Sequence, residues 1–352
     1  MTHSPRQVVA AQRGFTLIEL MVAMLLGLLV VAAAGSLFLS NSRVYGASES
    51  IGRIQENQRS AFEILARDIR EAGINPCLRI DGVNTDIFGV QLAAPDAVFW
   101  SRFVNGIFGV DGTGANGSDE ITLYAANGTT YSVSEHKRSG DAISVGIATS
   151  GIANGQLLMI CNTDHAVVFS ATGVTSSGTT IGHTGTANCG ANFTRPGSGS
   201  TNCTAMNANP RYCFWLGAGV AKTAADTTAC PGGIGSSPAY VVAPIGAVWT
   251  VADNGRGGSS LYRTLNGARS EIAEGVTALG LTYKVGTAAN YVNAAGVAAA
   301  GGWSQVTAVR ARMTFQAEQG ALSRADVRGV DDAVLTRTLD DYIVLRNHQD
   351  IQ

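Results

Sequence analysis

Between Phe15 and Leu39 the only ionisable side chain is the carboxylate of Glu19. Holding that charge in an apolar environment is costly, so its presence calls for a partner. If the chain is cut between Gly14 and Phe15, a new α-amino group appears four residues before Glu19. It would then lie one helical turn away, or within reach of a neighbouring subunit. An ion pair of this kind gains far more in a low dielectric than in water.

The remaining reactive side chains form no catalytic pattern. There is no Gly-x-Ser-x-Gly nucleophile elbow and no phosphate-cradling Gly-x-x-x-x-Gly-Lys-Ser/Thr loop. His3 is near the start and His348 near the end, while His136, His165 and His183 lie in loop-like sequence where surface exposure is expected. Zinc would have to use His183 with Cys189, Cys203 and Cys213, but the close Cys-x-x-Cys or His-x-His spacing of structural sites is missing. Calcium could draw on Asp111, Asn116, Ser118, Asp119 and Glu120, yet the positions an EF-hand loop gives to Gly and Glu hold Asn116 and Thr122. That stretch reads as a solvated turn. No enzyme, cofactor or metal is expected.

These residues need positioning elements, the first of which is a helix. The run from Leu20 to Leu39 has the length of about 20 apolar residues that spans a bilayer core. A secretory signal peptide would use Arg6 and Arg13 as its basic start and Ala32-Ala33-Ala34 as its cleavage site. Its apolar core would be overlong, would carry a charge and would run on into more helix. Beyond the span, Ile51, Ile54, Gln58, Phe62, Leu65, Ile69 and Ala72 make one face, and Arg53, Glu56, Arg59, Glu63, Arg67 and Glu71 the other. One helix from Phe15 to about Ala72 is expected, with room for a bend or loosening between Gly35 and Gly46. It would reach about 85 Å at ~1.5 Å per residue. Gly73 and Pro76 stop it.

Past Pro76 the pattern changes to short β-type runs separated by Gly and Asn: Ile121 to Ala125, Leu157 to Cys161, Ala166 to Ser170, Ala239 to Val242, Ala247 to Ala252, Val276 to Val285, Val306 to Ala317 and Thr338 to Arg346. Several alternate apolar with polar, as antiparallel strands with one wet face do. The second half of the helix is the expected cover for the apolar face. The section 172–238 holds four of the six cysteines among Gly, Ser, Thr and Asn, with few large apolar residues. It is expected to bury little core and to be held by cross-links on the exposed side.

The 43 glycines among 352 residues suit a loop-rich β domain, and a net charge of −2 with few lysines argues against nucleic acid as a partner. The basic residues before the span place 1–14 in the cytoplasm and the domain outside, where Cys77, Cys161, Cys189, Cys203, Cys213 and Cys230 meet oxidising conditions. Pairing within the Cys-rich section would leave Cys77 for Cys161, tying the helix end to a strand; sequence alone does not choose the connectivity.

The run Arg13-Gly14-Phe15-Thr16-Leu17-Ile18-Glu19-Leu20 resembles the class III signal of type IV prepilins and type II secretion pseudopilins. The resemblance implies cleavage after Gly14 by a prepilin peptidase, N-methylation of Phe15 and use of Glu19 in filament assembly. Two further segments resemble the PilW-type minor pilins: Ala66-Arg67-Asp68-Ile69-Arg70-Glu71-Ala72-Gly73 with Cys77 just after, and a C-terminal pattern. The latter comprises Ile272-Ala273-Glu274-Gly275-Val276, Trp303 with Val306-Thr307-Ala308-Val309-Arg310, and Leu345-Arg346-Asn347. Asn116-Gly117-Ser118-Asp119-Glu120-Ile121-Thr122-Leu123 also fits.

The expected molecule is an α+β, pilin-like protein: a leader (1–14), a membrane or filament-core helix (15–39), an amphipathic continuation (40–75) and a β-rich domain (76–352) carrying a disulfide-stapled insertion (172–238). Its expected role is that of a minor pilin that primes type IV pilus assembly at or near the tip. The rivals are a type II secretion minor pseudopilin, a pilus-borne adhesin and an exported enzyme tethered by the helix. Implied partners are other minor pilins, the major pilin, the prepilin peptidase, the inner-membrane assembly platform and a large tip adhesin. The implied location is the inner membrane and then the pilus of a Gram-negative bacterium.

Overall fold

The structure is a computed structural model and describes residues 14–77, 85–126, 128–197, 200–316 and 334–348. The leader up to Arg13, including His3 and Arg6, lies outside them, as does Ala317 at the end of one expected strand. Helix α1 (Leu17–Glu71) is followed by β1 (Phe88–Val90), α2 (Ala97–Phe103), β2 (Ile107–Val110), β3 (Glu120–Ala126), β4 (Tyr131–Glu135) and β5 (Ile143–Val145). Then come β6 (Leu157–Cys161), β7 (Ala166–Ser170), β8 (Thr180–Ile181), α3 (Cys203–Ala208), α4 (Ala224–Ala229), β9 (Tyr240–Val242) and β10 (Pro244–Asp253). After these are β11 (Ser259–Leu265), β12 (Ala268–Glu274), β13 (Val276–Val285), β14 (Tyr291–Val292), α5 (Ala294–Ala300), β15 (Val306–Gln316) and β16 (Thr336–Val344). This is the α+β, pilin-like arrangement of a long N-terminal helix and antiparallel sheets stapled by three disulfides.

The described residues divide into two units, one of 14–53 with 334 and 335 and the other of the described residues from 54 to 316 with 336–348. In the first, α1 is a helix whose large apolar side chains from Leu17 to Tyr45, among them Leu20, Met24, Leu28 and Phe38, are exposed. No break interrupts it between Gly35 and Gly46. Ser36, Ser48 and Ser50 turn their hydroxyls back onto the carbonyls of Ala33, Val44 and Gly46, so these polar groups are met within the helix.

In the second unit, α1 buries Ile54, Ala61, Leu65, Ala66, Ile69 and Ala72. The opposite face keeps its charges in solvent, with Arg59 and Glu63 paired at 2.9 Å one turn apart. The buried face lies against a five-stranded antiparallel sheet, β12-β11-β10-β3-β2. Gly73 ends the helix in a left-handed conformation, φ 75°, that a side chain would resist, and its N–H donates to Tyr124 O at 2.7 Å. Asn347 donates to the Gly73 carbonyl, which brings the last described residues back to the helix end.

A four-stranded sheet, β14-β13-β15-β16, alternates as expected. Leu279, Leu281, Tyr283, Val309, Ala311 and Met313 point inward, while Arg310, Arg312, Asp340 and Tyr342 lie on the wet face. The seven-stranded sheet, β1-β7-β6-β9-β4-β5-β8, is different because both of its faces are covered. Met159, Cys161, Ala166 and Val168 pack with Phe88, Trp100 and Phe103 on one side. Leu158, Ile160, Val167 and Phe169 pack with Phe193, Met206, Tyr212 and Phe214 on the other. Hence β6 and β7 read as unbroken apolar runs instead of alternating ones.

That second face corrects the expectation for 172–238. Phe193, Met206, Tyr212, Phe214 and Leu216 are buried, so the Cys-rich section supplies one wall of a core as well as its staples. The few large residues of the section are placed where they count, because a sheet face with nothing over it would leave Phe169 and its neighbours in water. His136, His165 and His183 are likewise buried, contrary to the surface positions expected of them. Each packs against an aromatic ring of this core: His136 and His183 on Phe193, and His165 on Tyr212.

Candidate functional site

The site is the start of α1. Gly14, Phe15 and Thr16 precede the helix and are exposed. Among the described residues no atom beyond its chain neighbours lies within 4 Å of where a side chain at Gly14 would begin, so their packing places no demand on this glycine. Thr16 is the residue on which the helix starts. Its carbonyl accepts Leu20 N at 3.2 Å, and its hydroxyl oxygen accepts Glu19 N at 3.3 Å. In return Glu19 Oε2 accepts the Thr16 N–H at 3.1 Å and the Thr16 hydroxyl at 2.9 Å.

Thr16 and Glu19 therefore form a reciprocal capping box that meets helix-start donors which have no carbonyl four residues back. The carboxylate also sits in the first turn, where the helix dipole favours negative charge. Within a single chain Glu19 thus already has donors before any amine is near it. The Thr-x-x-Glu spacing is legible in the sequence, and the cap is the feature that reading for a charge partner passed over. Behind it runs an apolar helix long enough to cross a membrane, and its most apolar stretch is not buried.

The six cysteines form three disulfides, Cys77 to Cys161, Cys189 to Cys203 and Cys213 to Cys230. The first joins the segment after α1 to β6, and the other two close loops within the Cys-rich section. With every thiol consumed, none of them is available to a metal. Among the described residues no group of three His, Cys, Asp or Glu side chains could hold one. The acidic loop is not a solvated turn: Asp119 accepts Gly112 N at 3.0 Å and Leu281 N at 2.7 Å, and Asp111 accepts Ala294 N and Ala295 N, both at 2.9 Å. Both carboxylates are occupied in pinning the loop to β13 and α5.

Asp68 is a site residue without any local signal. It is buried at the helix–sheet junction, where its Oδ2 accepts Trp249 Nε1 at 3.0 Å and Arg263 Nε at 2.6 Å. A groove of ≈ 310 Å³ runs beside it, lined in part by Arg67, Glu71, Tyr124 and Leu265. A larger one, ≈ 720 Å³, opens between α2 and the ends of β6 and β7, with Leu92, Phe99, Trp100 and Leu157 among its walls.

Residues 9–35 match the family model described as the prokaryotic N-terminal methylation motif. The match brackets Gly14, Phe15, Thr16 and Glu19 and supports a type IV prepilin-like protein, of structural rather than enzymatic character. The apolar helix and the motif together are consistent with a membrane-anchored pilin. No curated protein and no solved structure matches the chain.

Proposed function

We propose that the chain is a minor pilin that primes assembly of a type IV pilus at or near its tip. The observation that carries this reading is the capped Glu19 at the head of a fully exposed apolar helix, directly after Gly14 and Phe15. A prepilin peptidase cuts between those two residues and methylates the new Phe15 amine. Extraction from the bilayer then exchanges lipid for equally apolar helix neighbours, so packing and charge pairing set the register. Glu19 trades its cap donors for, or shares them with, an α-amino group of its own or a neighbouring chain. Other minor pilins, the major pilin, the inner-membrane assembly platform and a large tip adhesin are the partners.

The size of the β domain supports a capping position over a repeating one along the shaft. Two of the segments that carry the PilW-type resemblance meet at the end of α1, and a third is bonded to the start of β13. Asn347 bonds Gly73, Asn116 donates to Thr277 O at 3.1 Å, and Asp119 N donates to Leu279 O at 2.8 Å.

The test is mass analysis of the mature chain together with two variants. Cleavage after Gly14 gives a polypeptide beginning with methylated Phe15; any other start overturns the assignment. Gly14→Leu leaves an uncut precursor, and because the packing of the described residues is indifferent to that side chain the loss is attributable to the peptidase. Glu19→Val is cut but poorly incorporated into sheared pili. Deleting the gene removes pili on the pilin reading and protein secretion on the pseudopilin reading.

A further inference from the structure

His136, just after β4, and His183, just after β8, lie in the aromatic core beneath the seven-stranded sheet, with ring centroids 6.0 Å apart and each 1% exposed. Phe193 stacks on His183 at 3.9 Å and meets His136 edge-on at 5.5 Å. Each imidazole has one nitrogen engaged. Phe214 N donates to His136 Nδ1 at 3.1 Å, so a neutral His136 carries its proton on Nε2. His183 Nε2 lies 2.9 Å from Asp141 O and donates to it, which leaves Nδ1 bare. His136 Nε2 and His183 Nδ1 are buried without a partner.

Neither ring can take a second proton in place. At His136 the proton must go on Nδ1, where it faces the N–H of Phe214 and abolishes that bond. At His183 it creates a buried donor whose nearest acceptor is the residue's own carbonyl, already taken by Asn188 Nδ2 at 2.8 Å. We propose that this pair is an acid-operated latch: protonation releases the strand-like segment through Phe214, and Phe193 with it, from the seven-stranded sheet. The two loops closed by Cys189–Cys203 and Cys213–Cys230 then swing away as tethered units. The four- and five-stranded sheets contain none of these groups and stay folded.

The sign follows from burial, which holds His136 down to about 3 and His183 to about 4 from an ordinary 6.5. The open form binds protons more readily, so the closed form is fully favoured above pH ~6.5 and loses ground as pH falls. At pH 5 each histidine disfavours closure by about 30-fold, and the two together by roughly 1000-fold. Asp141 opposes the effect at His183, and His183 reinforces it at His136. The other charged groups on the surrounding segments are Glu135 and Lys137, paired with each other, Asp164 beside His165, Lys222 and Asp226 in the loop closed by Cys213–Cys230, and the exposed Arg138, Arg195 and Arg211. Neighbouring His165 is also held low, mainly by burial and then by Arg195.

Hydrogen exchange of the full chain in dodecyl maltoside micelles at pH 7 and pH 5, corrected for intrinsic rates, tests this. Protection in peptides covering 183–195 and 211–216 should fall at least 100-fold at pH 5, with 121–126 and 276–285 unchanged. In His136→Asn/His183→Gln the amide oxygen can still accept Phe214 N–H and the amide nitrogen can still donate to Asp141 O, so most of the drop should vanish, leaving only what His165 contributes beside Tyr212. His183→Gln alone should roughly halve it on a logarithmic scale. Each variant is compared with itself at two pH values, so looser packing does not obscure the result. Undiminished protection at pH 5, uniform loss across all three sheets, or a full-sized drop in the double variant each overturns the proposal.

Discussion

Asp68 near the end of α1 and Arg263 in β11 meet at 2.6 Å, and the same carboxylate oxygen takes the indole N–H of Trp249. Two elements nearly two hundred residues apart are thereby locked in one register, with the carboxylate buried and the guanidinium only partly so. Asp68→Ala should destabilise the chain by about 3 kcal/mol, the low end of the range for a broken buried pair because Arg263 keeps some water. Asp68→Asn, which can still accept from Trp249, should lose about half of that. Urea unfolding followed by tryptophan fluorescence measures both.

Thr16→Ala removes the hydroxyl that both caps the helix and holds Glu19. The expected cost is about 1 kcal/mol, confined to the first turn. Amide exchange at Leu17 to Leu20 in micelles should quicken while exchange beyond Met24 is unchanged. Thr16→Ser should restore the slower rate, and failure of that rescue would remove the capping role.

The disulfides should differ in worth. Cys77 and Cys161 enclose 84 residues of sequence and Cys189 and Cys203 only 14. If restricting the unfolded chain is the main effect, replacing the first pair with serine costs about 1.5 kcal/mol more than replacing the second. Equal losses would mean that local packing governs.

Tyr283 is fully buried and its hydroxyl has no partner, while a side chain at Gly109 would come within 2.1 Å of that oxygen. Tyr283→Phe should therefore be neutral or slightly stabilising, since no hydrogen bond is lost. Gly109→Ala should cost about 1–3 kcal/mol through overpacking against Tyr283 and Trp303. Gly109→Ala combined with Tyr283→Phe should recover part of that loss in thermal melts, because the oxygen in the way has gone.

Local patterns were enough for the N-terminal signal, the apolar span, the two faces of α1 and its stop at Gly73, and the cores of β3, β6, β7, β9, β10, β13, β15 and β16. Helical and strand periodicities are written over a few residues, so they can be read without knowing the neighbours. The strands β1, β5 and β8, of two or three residues, carry too few to show a period, and only their pairing identifies them.

What covers a face is a different kind of information. The unbroken runs in β6 and β7 demanded two layers of cover, but nothing in them pointed to Phe193, Tyr212 and Phe214 in a segment rich in Gly and Ser. The disulfide partners, the burial of three histidines and the meeting of Asp68 with Trp249 and Arg263 were decided in the same way. Each depends on which distant stretch excludes water from a given surface, and that is a property of the assembled layers, with no periodicity to announce it in the chain.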